Sequence, residues 1–155
     1  MTFELESKLE EFLRAMLKSR LQGLPNFQIL ENKKVADIIL CREAPNPAAF
    51  FLEVKLFTPK KHRIGVGIGS GEGFQPELLN KRPKFFEAYL RWVLCDGTLG
   101  ERQFVFAANS TVVKYLTGGS IGQKHNNIRP SIFQSEPLLA APALLDEIER
   151  WVQEN

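Results

Sequence analysis

The period of the hydrophobic positions changes several times along the chain, and each change marks an element. Between residues 3 and 21, Leu5, Leu9, Phe12, Leu13, Met16 and Leu17 keep an i, i+3, i+4 spacing. That spacing predicts an amphipathic helix, ended by Gly23 and Pro25. Residues 26–30 read as a short strand. Residues 35–41 (VADIILC) and 49–57 (AFFLEVKLF) are β-rich runs parted by a proline-bearing turn, REAPNPA. Residues 64–73 place glycine at every second position from Gly65 to Gly73. They read either as a strand with one bare face, open to another backbone or a phosphate chain, or as a surface loop. Residues 74–94 are helical in pattern, interrupted at Pro83, and their aromatics Phe85, Phe86, Tyr89 and Trp92 at helical spacing are expected in the core. Residues 102–108 predict another strand, Ser110 a cap for a short helix, and 117–130 a polar loop. Pro142 opens a C-terminal amphipathic helix carrying Leu144, Leu145, Ile148, Trp151 and Val152. The order is that of an α/β domain with a mixed sheet, one domain over residues 1–155.

Composition narrows the class. A chain of 155 residues with 44% apolar and 25% charged side chains suits one globular core and argues against disorder. No apolar run approaches the roughly 20 residues of a membrane span, and the charged N-terminus lacks a secretory signal's apolar core, so a cytoplasmic location is expected. Cys41 and Cys95 read as two free thiols, and two histidines are too few for a histidine-rich metal site. Net charge is only +2, yet residues 55–91 hold eight basic residues against three acidic, a local net of +5. Such clustering suits either a surface facing a polyanion or an ordinary solvated face.

The candidate chemistry lies in AAFFLEVKLF. Glu53 and Lys55, two apart, share one face of a strand otherwise composed as a buried one. Charges in that setting are costly unless they pair or bind something. Asp37 sits just as oddly in the preceding apolar run, and a hairpin between the runs brings it close to Glu53. Two carboxylates beside an ammonium suit Mg²⁺, which takes one or two carboxylates plus waters and phosphate oxygens. The same residues also suit a plain ion pair, Glu53–Lys55 or Asp37–Lys55.

KKVADIIL followed by FFLEVK resembles the PD-(D/E)XK nuclease superfamily over roughly residues 9–108, most closely in style its Holliday-junction resolvases and small restriction or homing endonucleases. Ala36 stands where the family name has proline. The resemblance implies a restriction-endonuclease-like three-layer core, with a central mixed β-sheet flanked by helices. It implies that Asp37 and Glu53 bind Mg²⁺, with Mn²⁺ as substitute, and that Lys55 serves the attacking water. The family often adds a glutamate from the first helix. On a helical wheel Glu11 faces solvent, so Glu10 is the expected residue, with Glu6 in reserve. Gln75, ahead of a helix, matches a glutamine that some members use.

Phosphate contacts are expected from Lys60, Lys61 and Arg63 just past the ExK strand. The polar loop with Lys124, His125, Asn126, Asn127 and Arg129 is the candidate for base reading, and it reads equally as an ordinary exposed loop. The expected activity is Mg²⁺-dependent cleavage of double-stranded DNA, of restriction or homing type, by a homodimer or higher homo-oligomer. Alternatives are a Holliday-junction resolvase, an RNA-directed nuclease and a non-catalytic nucleic-acid-binding module on the same fold.

Overall fold

The computed structural model describes residues 2–22, 24, 36–58, 82–118 and 127–155, and the backbone of 27–30 and 64–65. The first helix, α1 (Glu6–Leu21), turns Leu9, Leu13, Leu17 and Leu21 inward at i, i+4 intervals. Strands β1 (Phe27–Leu30), β2 (Ile38–Arg42) and β3 (Ala48–Phe57) form an antiparallel meander. After β4 (Ile64–Gly65) comes the short helix α2 (Pro83–Tyr89), which runs directly into β5 (Leu90–Asp96). Strand β6 (Phe104–Ala107), helix α3 (Asn109–Val113), strand β7 (Asn127–Ile128), helix α4 (Ile132–Ser135) and helix α5 (Ala141–Glu154) complete the order.

The main sheet is mixed, in the order β1-β2-β3-β5-β6, and β3–β5 is its parallel pair. Alternation sorts its side chains into two cores. On one face Ile38, Leu40, Phe50, Leu52, Val54, Leu56, Val93 and Phe104 pack beneath α1 and α5. On the other, Phe57, Leu90, Trp92, Leu94 and Val105 meet Phe86, Val112, Ile128, Ile132 and Phe133 from the shorter elements. The result is three layers, helix–sheet–helix. Among the described residues no helix is long and apolar enough to cross a membrane.

Four local expectations are corrected. Residues 90–94, expected to continue a helix, fall in β5, an inner strand between β3 and β6. A run buried on both faces has no period of its own, so helix and strand read alike there. Trp92 is therefore a strand residue, and its Nε1 donates to Asn109 Oδ1 at 2.6 Å. Phe86 is in the core as expected, whereas Phe85 is exposed and Tyr89 half-buried. Ser110 lies inside α3 rather than capping it, and its N–H and Oγ donate to the Glu87 carboxylate. The expected loop 117–130 contains β7, antiparallel to β4 with Ile64 opposite Ile128.

Candidate active site

The site arises where two strands part. Pairing of β2 with β3 ends at Ile38–Leu52. One step further in the same register, Asp37 stands opposite Glu53. Beyond that rung, no strand among the described residues meets the N–H groups of β3 that face β2, and an unpaired backbone donor is costly. Carboxylates take them instead. Asp37 Oδ2 accepts from Val54 N at 2.7 Å, and Glu6 Oε2 accepts from Leu56 N at 3.2 Å. Glu6 is the first residue of α1, so the start of that helix and the start of β2 converge on one stretch of β3.

Glu53 and Lys55 alternate with Val54 and Leu56, which belong to the core under α1 and α5, and so share the opposite face of β3. Lys55 Nζ lies 2.7 Å from Glu53 Oε1 and 3.8 Å from Glu6 Oε1. Glu53 is only 4% exposed, and its second oxygen, Oε2, is buried with no hydrogen-bond partner among the described residues. Burial pushes the Glu53 carboxyl up to about 7; the charges of Asp37 and Glu6 add to this and Lys55 opposes it. Burial works to lower Lys55, but Glu53, Asp37 and Glu6 outweigh it and hold the ammonium above its ordinary value. The two strand acids, the amine and Glu6 thus form one electrostatic cluster.

The structure places Glu6, not Glu10, against Lys55. Glu10 sits just over one turn further along α1, buried, with Arg14 Nη2 donating to its Oε2 at 3.0 Å. The helical wheel excludes Glu11 but does not separate Glu10 from Glu6; what separates them is that β3 offers the Leu56 N–H at the level of the first helical residue. Asn127 lies half-buried in β7, its N–H donating to Thr117 Oγ1, and Arg129 is exposed just beyond. Lys60, Lys61, Arg63, Gln75, Lys124, His125 and Asn126 lie outside the described residues. The β4–β7 pairing nevertheless brings the chain that follows Arg63 beside Asn127 and Ile128.

Among the described residues no three His, Cys, Asp or Glu side chains gather into a metal-holding group. Magnesium needs fewer, since waters and phosphate oxygens fill most of its shell. An orphaned, buried carboxylate oxygen on Glu53, with Asp37 across the strand gap, is a donor set of the hard, anionic kind that such an ion takes. The residues present fit the group.

Sequence reasoning missed Arg14. Its Nη2 also donates to the backbone carbonyl of Asp37 at 2.8 Å, linking α1 to the start of β2. The available signal was its i+4 spacing from the borderline-buried Glu10. Comparison with known proteins supplies no relative: no family model matches the chain, no curated protein matches its sequence, and no solved structure matches its fold.

Proposed function

We propose that the chain is a metal-dependent endonuclease of the PD-(D/E)XK type, hydrolysing DNA phosphodiesters with Mg²⁺ at Asp37 and Glu53. The observation that carries the reading is the buried Oε2 of Glu53, which has no hydrogen-bond partner among the described residues while Oε1 meets Lys55. A side chain this buried, with one oxygen satisfied by an ammonium and the other by nothing, suits a cation better than it suits a packed core.

In this reading Asp37 and Glu53 would hold the ion, and when bound it would supply Lewis-acid polarisation of the phosphodiester and a water of lowered pKa. Lys55 steadies Glu53 through Oε1 and presents its remaining donors to the attacking water or a non-bridging phosphate oxygen. Hydrolysis forms one bond from water oxygen to phosphorus and breaks one bond to the leaving sugar oxygen, which takes up a proton. Lys60, Lys61 and Arg63 follow the strand that carries Lys55, which suits phosphate contact beside the scissile bond. The joining of β4 to β7 supports a shared role with Asn127 and Arg129 on the same DNA. Each protomer has one such site, so cutting both strands calls for two copies.

A second reading is a nucleic-acid-binding module without cleavage, favoured by the 2.7 Å Glu53–Lys55 contact, which also serves as a buried ion pair. One experiment separates the two. Purified protein is incubated with linear duplex, a synthetic four-way junction and RNA, with and without Mg²⁺ or Mn²⁺. Metal-dependent cutting lost in Asp37→Asn and Lys55→Ala supports the nuclease. Salt-sensitive binding that ignores the metal, with no cutting of any substrate, supports the module and removes the nuclease.

A further inference from the structure

We infer that Arg14 is a positioning residue that sets the orientation of Asp37, with Glu10 as its brace. Its consequence for metal affinity rests on the nuclease reading; its consequence for Asp37 does not.

Asp37 stands one residue outside the β2–β3 ladder, so strand pairing alone leaves its direction undetermined. Two contacts determine it. At the main chain, Arg14 Nη2 donates to the Asp37 carbonyl at 2.8 Å; at the side chain, Val54 N donates to Oδ2 at 2.7 Å. With both ends of so short a side chain held, no soft rotation remains between backbone and carboxylate. The guanidinium is itself fixed, because the same Nη2 meets Glu10 Oε2 at 3.0 Å from the preceding turn of α1. Neither partner is a solvated surface charge: the side chains of Arg14 and Glu10 are 17% and 11% exposed. A planar donor group held by a carboxylate and aimed at one carbonyl is a task that an ammonium performs poorly. Glu10 therefore bears on the site through Arg14 rather than by touching Lys55.

The test pairs two readouts on the full chain, amide hydrogen exchange of metal-free protein and Mn²⁺ titration. In Arg14→Met, the Val54 amide is expected to exchange about tenfold faster through local opening, while the core amide of Val93 is unchanged. Mn²⁺ affinity is expected to fall by about 10- to 100-fold, the range seen when residues supporting metal ligands are removed. Arg14→Lys restores part of both, and Glu10→Gln gives a smaller change of the same sign. These two variants keep the idea testable if Arg14→Met does not fold. Unchanged Val54 exchange across the folded variants overturns the inference. Equal acceleration at Val54 and Val93 also overturns it, since that is general loss of stability. Faster exchange at Val54 in a chain whose wild type takes up no Mn²⁺ supports the positioning role and removes the nuclease reading.

Discussion

The carboxylate of Asp37 occupies the place in the β3 ladder that the backbone of β2 gives up, accepting the amide hydrogen of Val54 at 2.7 Å. One residue earlier in β3, Glu53 keeps a buried oxygen without a hydrogen-bond partner among the described residues. Satisfaction of the backbone and frustration of a side chain thus lie side by side. Asp37 has a structural duty that Glu53 lacks, and the two acids respond differently to substitution.

Asp37→Asn retains an oxygen that accepts from Val54, so its unfolding free energy stays near that of the wild type. Asp37→Ala leaves the buried Val54 amide unsatisfied and costs about 1–3 kcal/mol. Urea denaturation without metal separates the two variants. In the proposed nuclease both lose cutting, so activity and stability diverge in Asp37→Asn and fall together in Asp37→Ala.

Lys55→Met strands the Glu53 carboxylate at a site where burial already opposes its charge. The expected loss is about 3–5 kcal/mol, the scale for breaking a buried pair. Glu53→Gln combined with Lys55→Met removes both charges and is expected to be more stable than Lys55→Met alone. A double-mutant cycle on thermal or denaturant unfolding measures the coupling, and an additive cycle would refute it.

The pH dependence of stability has a definite sign at Glu53. Burial raises its carboxyl from 4.5 to about 7, so the folded chain retains a proton that the unfolded chain releases between those values. Stability from this group is complete below about 4.5 and declines as pH climbs through about 7. The full effect is on the order of 3 kcal/mol. Unfolding of metal-free wild type and Glu53→Gln, compared from pH 4 to 8, isolates it: the wild type loses stability relative to the variant as pH rises.

The two thiols differ in reactivity. Cys95 is fully buried in β5, and burial pushes its pKa up to about 12, with the charge of Asp96 adding to it. Cys41 is part-exposed on β2 and more mildly raised by burial. A thiolate reagent on native protein is expected to modify Cys41 first and to reach Cys95 only as fast as the sheet opens. Mass spectrometry of the time course reads both rates.

Much of the frame was legible in the residues, and physical reasons mark where it was not. The stripe of Leu9, Leu13 and Leu17 announces α1, because that helix has one buried face, and Glu53 and Lys55, two apart in an apolar run, announce the charged stretch of β3. Opposition of Asp37 and Glu53 follows from the antiparallel register of two adjacent runs. Strand β5 was not legible, since burial on both faces erases the alternation that marks a strand. The choice between Glu6 and Glu10 turned on where β2 lets go of β3, a tertiary fact with no signature in the periodicity of α1. Arg14 escaped for a related reason: its target is a backbone carbonyl, and every residue has one.

The loop that follows Thr117 is closed at its root. Thr117 donates its amide to the Asn127 carbonyl at 2.9 Å, while the Asn127 amide donates to Thr117 Oγ1 at 3.1 Å. The adjoining Ile128 is rooted in the core and bridged to Leu116. These bonds fasten Thr117 and Asn127 to each other directly above the buried Ile128. Residues inserted between Gly118 and Asn127 are therefore expected to leave Glu53 and Lys55 in place.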